Sequence, residues 1–170
     1  ARYYKNLCFP LDGNRNYIHN DVGYNYRMSN IHAAIGLAQV EKADYYKELR
    51  IKNGNLYKKY LSEIEGIVLQ ETTRDSLNVY WMNGLSIEED KYGRTRDELI
   101  NHLNNNKIDT RLFFVGMSKQ PSLRKYGCDC SGGYPVTENL SKNGFYLPSA
   151  SSLTEDKIKY ICDIIKGYKK

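Results

Sequence analysis

The chain has 170 residues, with 25 Lys plus Arg against 20 Asp plus Glu and a formal charge of +5. Hydrophobic residues at 41% and charged residues at 26% are ordinary for a globular protein with a real core, which excludes a disordered tail or a fibrous repeat. No apolar run approaches the ~20 residues of a membrane helix, and the opening ARYYKN lacks an apolar signal region, so a cytoplasmic location is expected. A start at Ala1 rather than Met suggests a processed or excised piece.

The basic charge is spread along the chain and is densest only at Lys166, Lys169 and Lys170, where a nucleic-acid binder would show a concentrated stripe. A nucleic-acid-binding domain would rest on the net charge alone, and neither nucleic acid nor membrane is expected as a partner. Cys8, Cys128, Cys130 and Cys162 make no zinc spacing, because Cys128-Asp129-Cys130 is a C-x-C and the histidines lie far from it, so no metal is expected.

Residues 1–26 show no sustained period and read as a loop-rich approach punctuated by Pro10 and Gly13. From about Met28, Ile31, Ala34, Ile35 and Ala38 recur at helical spacing, followed by Leu49, Leu56, Tyr60 and Leu61. Ser29 or Asn30 caps the start, Gly66 ends the run, and Gly54 is the expected bend. Strands are expected at 67–69, 78–87, 108–114 and 145–147. Thr95-Arg96-Asp97-Glu98 is a capping-box sequence opening a helix through Leu99, Ile100 and Leu103, stopped by Asn104–Asn106. A loop holding Pro121, Gly127, Gly132 and Gly133 leads to a helix at Pro135. The last helix opens at Thr154 and sets Ile158, Ile161, Cys162, Ile165 and Tyr168 on one face. The expectation is an α+β chain, with residues 1–65 forming a loop and long helix and residues 66–170 a small domain.

Few residues announce chemistry by spacing alone. Glu88-Glu89-Asp90 reads as a solvated turn, and His19, two residues before Asp21, is either a base with its orienter or a local loop contact. Arg111 inside an apolar strand must find an anion, several carbonyls or a salt bridge. In GYNYRMSNIHAAIGLAQ, residues 23–39, a polar and aromatic loop runs into a helix N-terminus, where backbone N–H groups, Asn25 and Arg27 favour a phosphate or carboxylate. An ordinary cap with Tyr packing fits the same residues.

That block, with KNLCF, NVYWMNG, IDTRLFF, KQPSL and LPSASSLTEDKI in order, resembles the DegT/StrS-type (DegT/DnrJ/StrS) PLP-dependent sugar aminotransferases over nearly the whole chain. The perosamine-synthase-like branch, which aminates nucleotide-linked 4-keto-6-deoxy sugars, is the most similar. The resemblance implies the C-terminal small domain of a fold-type I aminotransferase, a long connector helix followed by a small, mainly antiparallel sheet with flanking helices. It implies pyridoxal 5′-phosphate as cofactor, glutamate as amino donor, and a homodimer sharing its active site across the interface, serving surface polysaccharide or other amino-sugar biosynthesis.

It also implies that the chain matches only the later part of a family member. The Schiff-base lysine, the acidic partner of the pyridine nitrogen, the ring-stacking aromatic and most of the phosphate cup are expected upstream. None of the sixteen lysines sits in the expected context, so no catalytic residue is assigned here and the piece alone is expected to be inactive. Carried over residue by residue, Asn25 matches the asparagine that reaches the cofactor phosphate of the other subunit, with Arg27 beside it. Tyr24, Arg111, Ser118 and His19 are the substrate-side candidates. Arg111 matches the arginine of the family's T-R-x-F-F, and Ser118 stands where the P-[LM]-H-x-Q-P pattern carries His, so that position cannot titrate near neutrality. The stripe of Ile31, Ile35 and Ala38 is expected to be exposed or covered by a partner chain. The alternative is a non-catalytic regulatory or oligomerisation module of the same fold.

Overall fold

The computed structural model describes residues 1–12, 19 and 21–170, which separate into two compact units, Ala1–Asp44 and Tyr45–Lys170. Pro10 lies within the described residues, whereas Gly13 lies outside them.

In the first unit, a single turn α1 (Arg2–Lys5) is followed by a ribbon-like pairing of residues 4–7 with residues 24–26. Tyr24 N–H donates to the Tyr4 carbonyl (2.7 Å), Leu7 N–H to the Tyr24 carbonyl (3.0 Å) and Tyr26 N–H to the Lys5 carbonyl (3.0 Å). Leu7 and Cys8 both take positive φ, and Gly23 lies so close that a β-carbon there would stand 2.5 Å from Cys8 N. Glycine is therefore required where this loop doubles back. Helix α2 (Asn30–Val40) starts at Ser29, whose hydroxyl accepts from His32 N–H (3.3 Å), as the cap reading expected. It buries no residue: Ile31 and Ile35 are 74% and 59% exposed, and Ala38 is exposed as well.

The helical run is divided at Glu41 and Lys42, where a turn precedes α3 (Ala43–Leu61). This corrects the expected bend at Gly54, which lies inside α3 and is buried. A β-carbon on Gly54 would stand 2.3 Å from Cγ of Tyr80, so the glycine admits an aromatic ring rather than a kink. Gly66 does not end the helix either. Leu61 does, and Gly66, at φ +84°, turns the chain into the first strand five residues later.

The second unit is built on a four-stranded antiparallel sheet: β1 (Ile67–Leu69), β2 (Asn83–Ile87), then α4 (Glu89–Tyr92) and α5 (Arg96–Asn105), β3 (Arg111–Leu112), α6 (Pro121–Lys125), α7 (Pro135–Asn143), β4 (Gly144–Leu147) and α8 (Glu155–Tyr168). The spatial order is β1-β2-β4-β3, with Leu85 opposite both Leu69 and Phe145, and Leu112 opposite Phe145. Because side chains alternate along a strand, this register puts Leu85, Ile87, Ile67, Phe145 and Leu147 on one face. There they share a core with Leu56, Tyr57 and Leu61 of α3, Leu99 and Leu103 of α5, and Ile158, Ile161, Cys162 and Ile165 of α8. Burial pushes the Cys162 thiol up to about 12, which fits a sulfur packed as a small hydrophobe. The opposite face carries Gly84 and Gly144, and the Phe113 ring fills the space their missing side chains leave.

The alternation and caps read from the sequence account for most of these elements. Thr95 and Glu98 form the capping box, with Thr95 Oγ1 accepting from Glu98 N–H (3.2 Å) and Glu98 accepting from Thr95 N–H (2.8 Å). Thr154 caps α8, Pro135 opens α7, and Glu88-Glu89-Asp90 forms the start of α4, as a solvated turn would. Two strands are shorter than expected. The 78–87 stretch pairs only from Asn83, because Tyr80 takes φ +47° with its N–H bound to Asn78 Oδ1 (2.8 Å), a turn that breaks the extended run. The 108–114 stretch forms a strand only at Arg111 and Leu112, at the edge of the sheet, with one further bond from Phe113 N–H to the Gly144 carbonyl (3.4 Å). The loop with Pro121 and Gly127 contains a 3-10 turn at Met117–Lys119 and α6.

Candidate functional site

In the first unit the chain leaves the ribbon pairing at Tyr26 and enters α2 at Ser29, so residues 24–28 form an exposed rim at a helix start. Asn25 Oδ1 accepts from Arg27 Nε (3.1 Å) and from Arg27 N–H (3.4 Å). This arrangement orients the guanidinium and uses the amide oxygen, leaving the amide NH2 and the outer guanidinium N–H groups as donors on one exposed rim. A fork of donors beside an amide matches the charge and shape of a phosphate, so these residues fit the anionic end of pyridoxal phosphate. Tyr24 stacks on Tyr26 with ring centroids 5.5 Å apart and planes 8° from parallel, forming an exposed aromatic wall beside the pair.

His19 is placed differently from the catalytic alternative. Its Nδ1 is hydrogen-bonded to the Leu7 carbonyl and its ring lies 4.6 Å from that of Phe9. Asp21 instead accepts from Tyr4 OH (2.8 Å), and this bond is the first cause raising the Tyr4 pKa. The local loop contact is therefore the one the structure makes, and His19 and Asp21 form no base–orienter pair.

In the second unit Arg111 does not sit inside an apolar strand, which corrects the expectation of a buried guanidinium. It is exposed on the edge strand, opposite Tyr146, and among the described residues its side chain has no hydrogen-bond or ion-pair partner. It lines an open cavity of about 260 Å3 with Asp109, Thr110, Tyr146 and Ser149. The floor of that cavity is rigid: Ser149 Oγ accepts from Asn83 N–H (3.0 Å) and donates to the Leu147 carbonyl (2.9 Å). Tyr57 OH and Asn53 Nδ2 of α3 donate to the carbonyls of Pro148 and Ala150 (2.9 and 3.1 Å). The Leu147-Pro148-Ser149-Ala150 segment thus forms a fixed wall beside a solvent-facing guanidinium and the Asp109 carboxylate, a polar site that offers both a cation and an anion. Ser118, half-buried in the 3-10 turn, lines two other cavities, one with Thr137 and the Cys128–Cys130 loop, the other with Lys119 and Glu138. Arg111 and Ser118 are not brought to one cavity.

Sequence reasoning singled out Asn25 and Arg27 but missed the bond between them. It also missed Tyr146 and Ser149 around Arg111. The i, i+2 spacing of an Asn and a cation is a signal for the first. Nothing local marks the second, which depends on strand register.

A family model described as the DegT/DnrJ/EryC1/StrS aminotransferase family matches residues 1–166. The chain belongs to this family. Among its relatives, the GDP-perosamine synthase of Escherichia coli O157:H7 is 35% identical over 155 residues, covering 91% of this chain and 40% of that protein. The GDP-perosamine synthase of Vibrio cholerae is 33% identical over 156 residues, covering 91% of this chain and 41% of that one. The solved structure of S. venezuelae DesV shares the fold with a TM-score of 0.83 at 22% identity, over 98% of this chain and 42% of that one. The chain therefore spans about 40% of the length of the aminotransferase relatives it matches. Family membership agrees with the α+β architecture and its small antiparallel sheet.

Proposed function

We propose that this chain is the C-terminal portion of a PLP-dependent aminotransferase that moves an amino group, with glutamate as donor, onto a nucleotide-linked keto-deoxy sugar for surface polysaccharide or other amino-sugar biosynthesis. The reading rests chiefly on the family match across residues 1–166, and the likeness to two GDP-perosamine synthases supports the sugar class. When bound, pyridoxal phosphate supplies the electron sink and carries the amino group between donor and acceptor.

This chain's own residues bind and orient. Asn25 reaches the cofactor phosphate of the other subunit's active site in a homodimer, and Arg27, bound to Asn25 Oδ1, adds a charge-assisted contact beside it. Tyr24 offers an aromatic face to the substrate side. Arg111 meets an anionic group of the substrate from its rigid wall, and Ser118 offers a hydroxyl but no proton transfer near neutrality. His19, held by the Leu7 carbonyl and the Phe9 ring, stands on the substrate side. The exposed stripe of α2 is covered in this reading by a second copy of the chain. Residues 66–170, with α3 sharing their core, form the small domain, and the lysine that carries the cofactor lies outside these 170 residues. No helix among the described residues is long and apolar enough to cross a membrane.

The first test is borohydride reduction after incubation of the chain with pyridoxal phosphate, read by intact mass and peptide mapping. Weak labelling spread over surface lysines is expected, and near-unit labelling at one lysine would overturn the assignment. In the full-length protein, Arg27→Ala should weaken binding of pyridoxal phosphate by about tenfold or more, the scale of one lost bond to a charged group, and leave binding of unphosphorylated pyridoxal unchanged. Equal loss for both ligands would remove Arg27 from the phosphate.

A further inference from the structure

Aminotransfer makes no use of the C-x-C at residues 128–130. Gly127, at φ +79°, turns the chain out of α6, and Cys128 N–H closes the turn on the Leu123 carbonyl (3.0 Å). Cys128 is exposed and Cys130 half-buried, whereas Cys8 and Cys162 are buried. The two loop cysteines line one cavity of about 330 Å3, and Met117 lines the same cavity from the 3-10 turn. Two cysteines and a methionine therefore line one solvent-reachable space.

The intervening Asp129 is occupied. Its Oδ1 accepts from Ser131 N–H (2.9 Å) and Ser131 Oγ (2.6 Å), bonds that hold its carboxyl below the usual range. Among the described residues no three His, Cys, Asp or Glu side chains gather as a metal site, so a four-ligand zinc centre has no basis here. An all-sulfur set of two thiolates and a thioether instead suits a soft monovalent ion that accepts low coordination.

We propose that Cys128, Cys130 and Met117 form a binding site for one Cu(I) ion. Two S–H bonds are replaced by two S–Cu bonds, both protons pass to solvent, and the metal stays Cu(I), so no electron moves. Ser118, which lines the same cavity, accepts at its carbonyl from Arg124 Nη2 (3.4 Å).

The test is anaerobic titration of the reduced full chain with Cu(I) against the chromophoric chelator bicinchoninate, with circular dichroism confirming the fold of each variant. One Cu(I) per chain should be withdrawn from the chelator, an equimolar amount of Zn(II) should not displace it, and the bound protein should remain monodisperse relative to the metal-free form. The double variant Cys128→Ser/Cys130→Ser should lose this uptake entirely. Met117→Leu should weaken it by about tenfold, the lower end of what removing a supporting group costs a metal site. No withdrawal by the parent, full withdrawal by the double variant, or uptake of one ion per two chains would each overturn the site. An unchanged Met117→Leu would overturn the three-sulfur assignment.

Discussion

Gly66 and Gly127 share nearly the same backbone conformation and differ in what surrounds them. Both take left-handed φ values, +84° and +79°. A β-carbon on Gly66 would stand 2.4 Å from Tyr92 N and 2.8 Å from Tyr92 Cα, whereas one on Gly127 would meet nothing within 4 Å. Alanine at Gly127 therefore carries only the left-handed cost of roughly 1–2 kcal/mol. Alanine at Gly66 adds a collision with backbone that cannot rotate away. Tyr92 is fully buried, its hydroxyl is bound to the Ile165 carbonyl, and Gly66 O itself accepts from Glu88 N–H (2.8 Å). Overpacking of this kind costs about 1–3 kcal/mol, so Gly66→Ala should lose about 2–5 kcal/mol in total. Urea unfolding followed by far-ultraviolet circular dichroism reads both variants against the parent. Equal losses, or a loss at Gly66 below that at Gly127, would refute the collision argument.

Phe145→Ala should cost about 3–5 kcal/mol, because its ring is fully buried at the centre of the sheet, while Leu112→Ala in the same cross-strand row should stay within about 0.5 kcal/mol at its exposed edge; chemical denaturation separates the two. Thr95→Ala should cost about 1 kcal/mol at neutral pH as a lost helix cap. Backbone and then side-chain bonds from Thr95 hold the Glu98 carboxyl below its ordinary value of 4.5. A carboxyl lowered on folding stabilises above its unfolded pKa and loses that stabilisation as pH falls through its folded pKa. The gap between Thr95→Ala and parent should therefore narrow below about pH 4.5, and a gap constant from pH 7 to pH 3 would contradict the reciprocal cap. If a second copy covers α2, Ile31→Lys/Ile35→Lys should shift the protein to monomer in sedimentation. Two fully reburied isoleucines are worth about 3 kcal/mol or more of association, and an unchanged dimer would place the contact elsewhere.

Helix starts were readable because their causes are local. Ser29, Thr95 and Thr154 each satisfy an orphan N–H within three residues, and Pro135 needs no N–H where it stands. The apolar face of α8 was readable for the same reason, since a period of 3.6 places Ile158, Ile161, Cys162 and Ile165 together without knowledge of what covers them. The Asn25–Arg27 rim follows from residue type two positions apart beside a helix start, and the block around it carried the family resemblance.

Tertiary structure decided where the strands stop and what the special residues do. A strand exists only as far as a neighbour pairs with it, so the apolar runs at 78–87 and 108–114 gave no sign that the strands are confined to Asn83–Ile87 and Arg111–Leu112. Gly54 has the same helical surroundings whether it bends the chain or receives a ring, and only the return of residues 78–82 brings Tyr80 against it. Arg111 faces solvent because β3 is an edge strand, and the hydroxyls around its cavity come from β4 and the segment that follows, about 35 residues away in sequence. Capping and helical periodicity are set by neighbours along the chain, whereas strand length, cavity walls and the exposure of a charge are set by segments that meet only when the sheet closes.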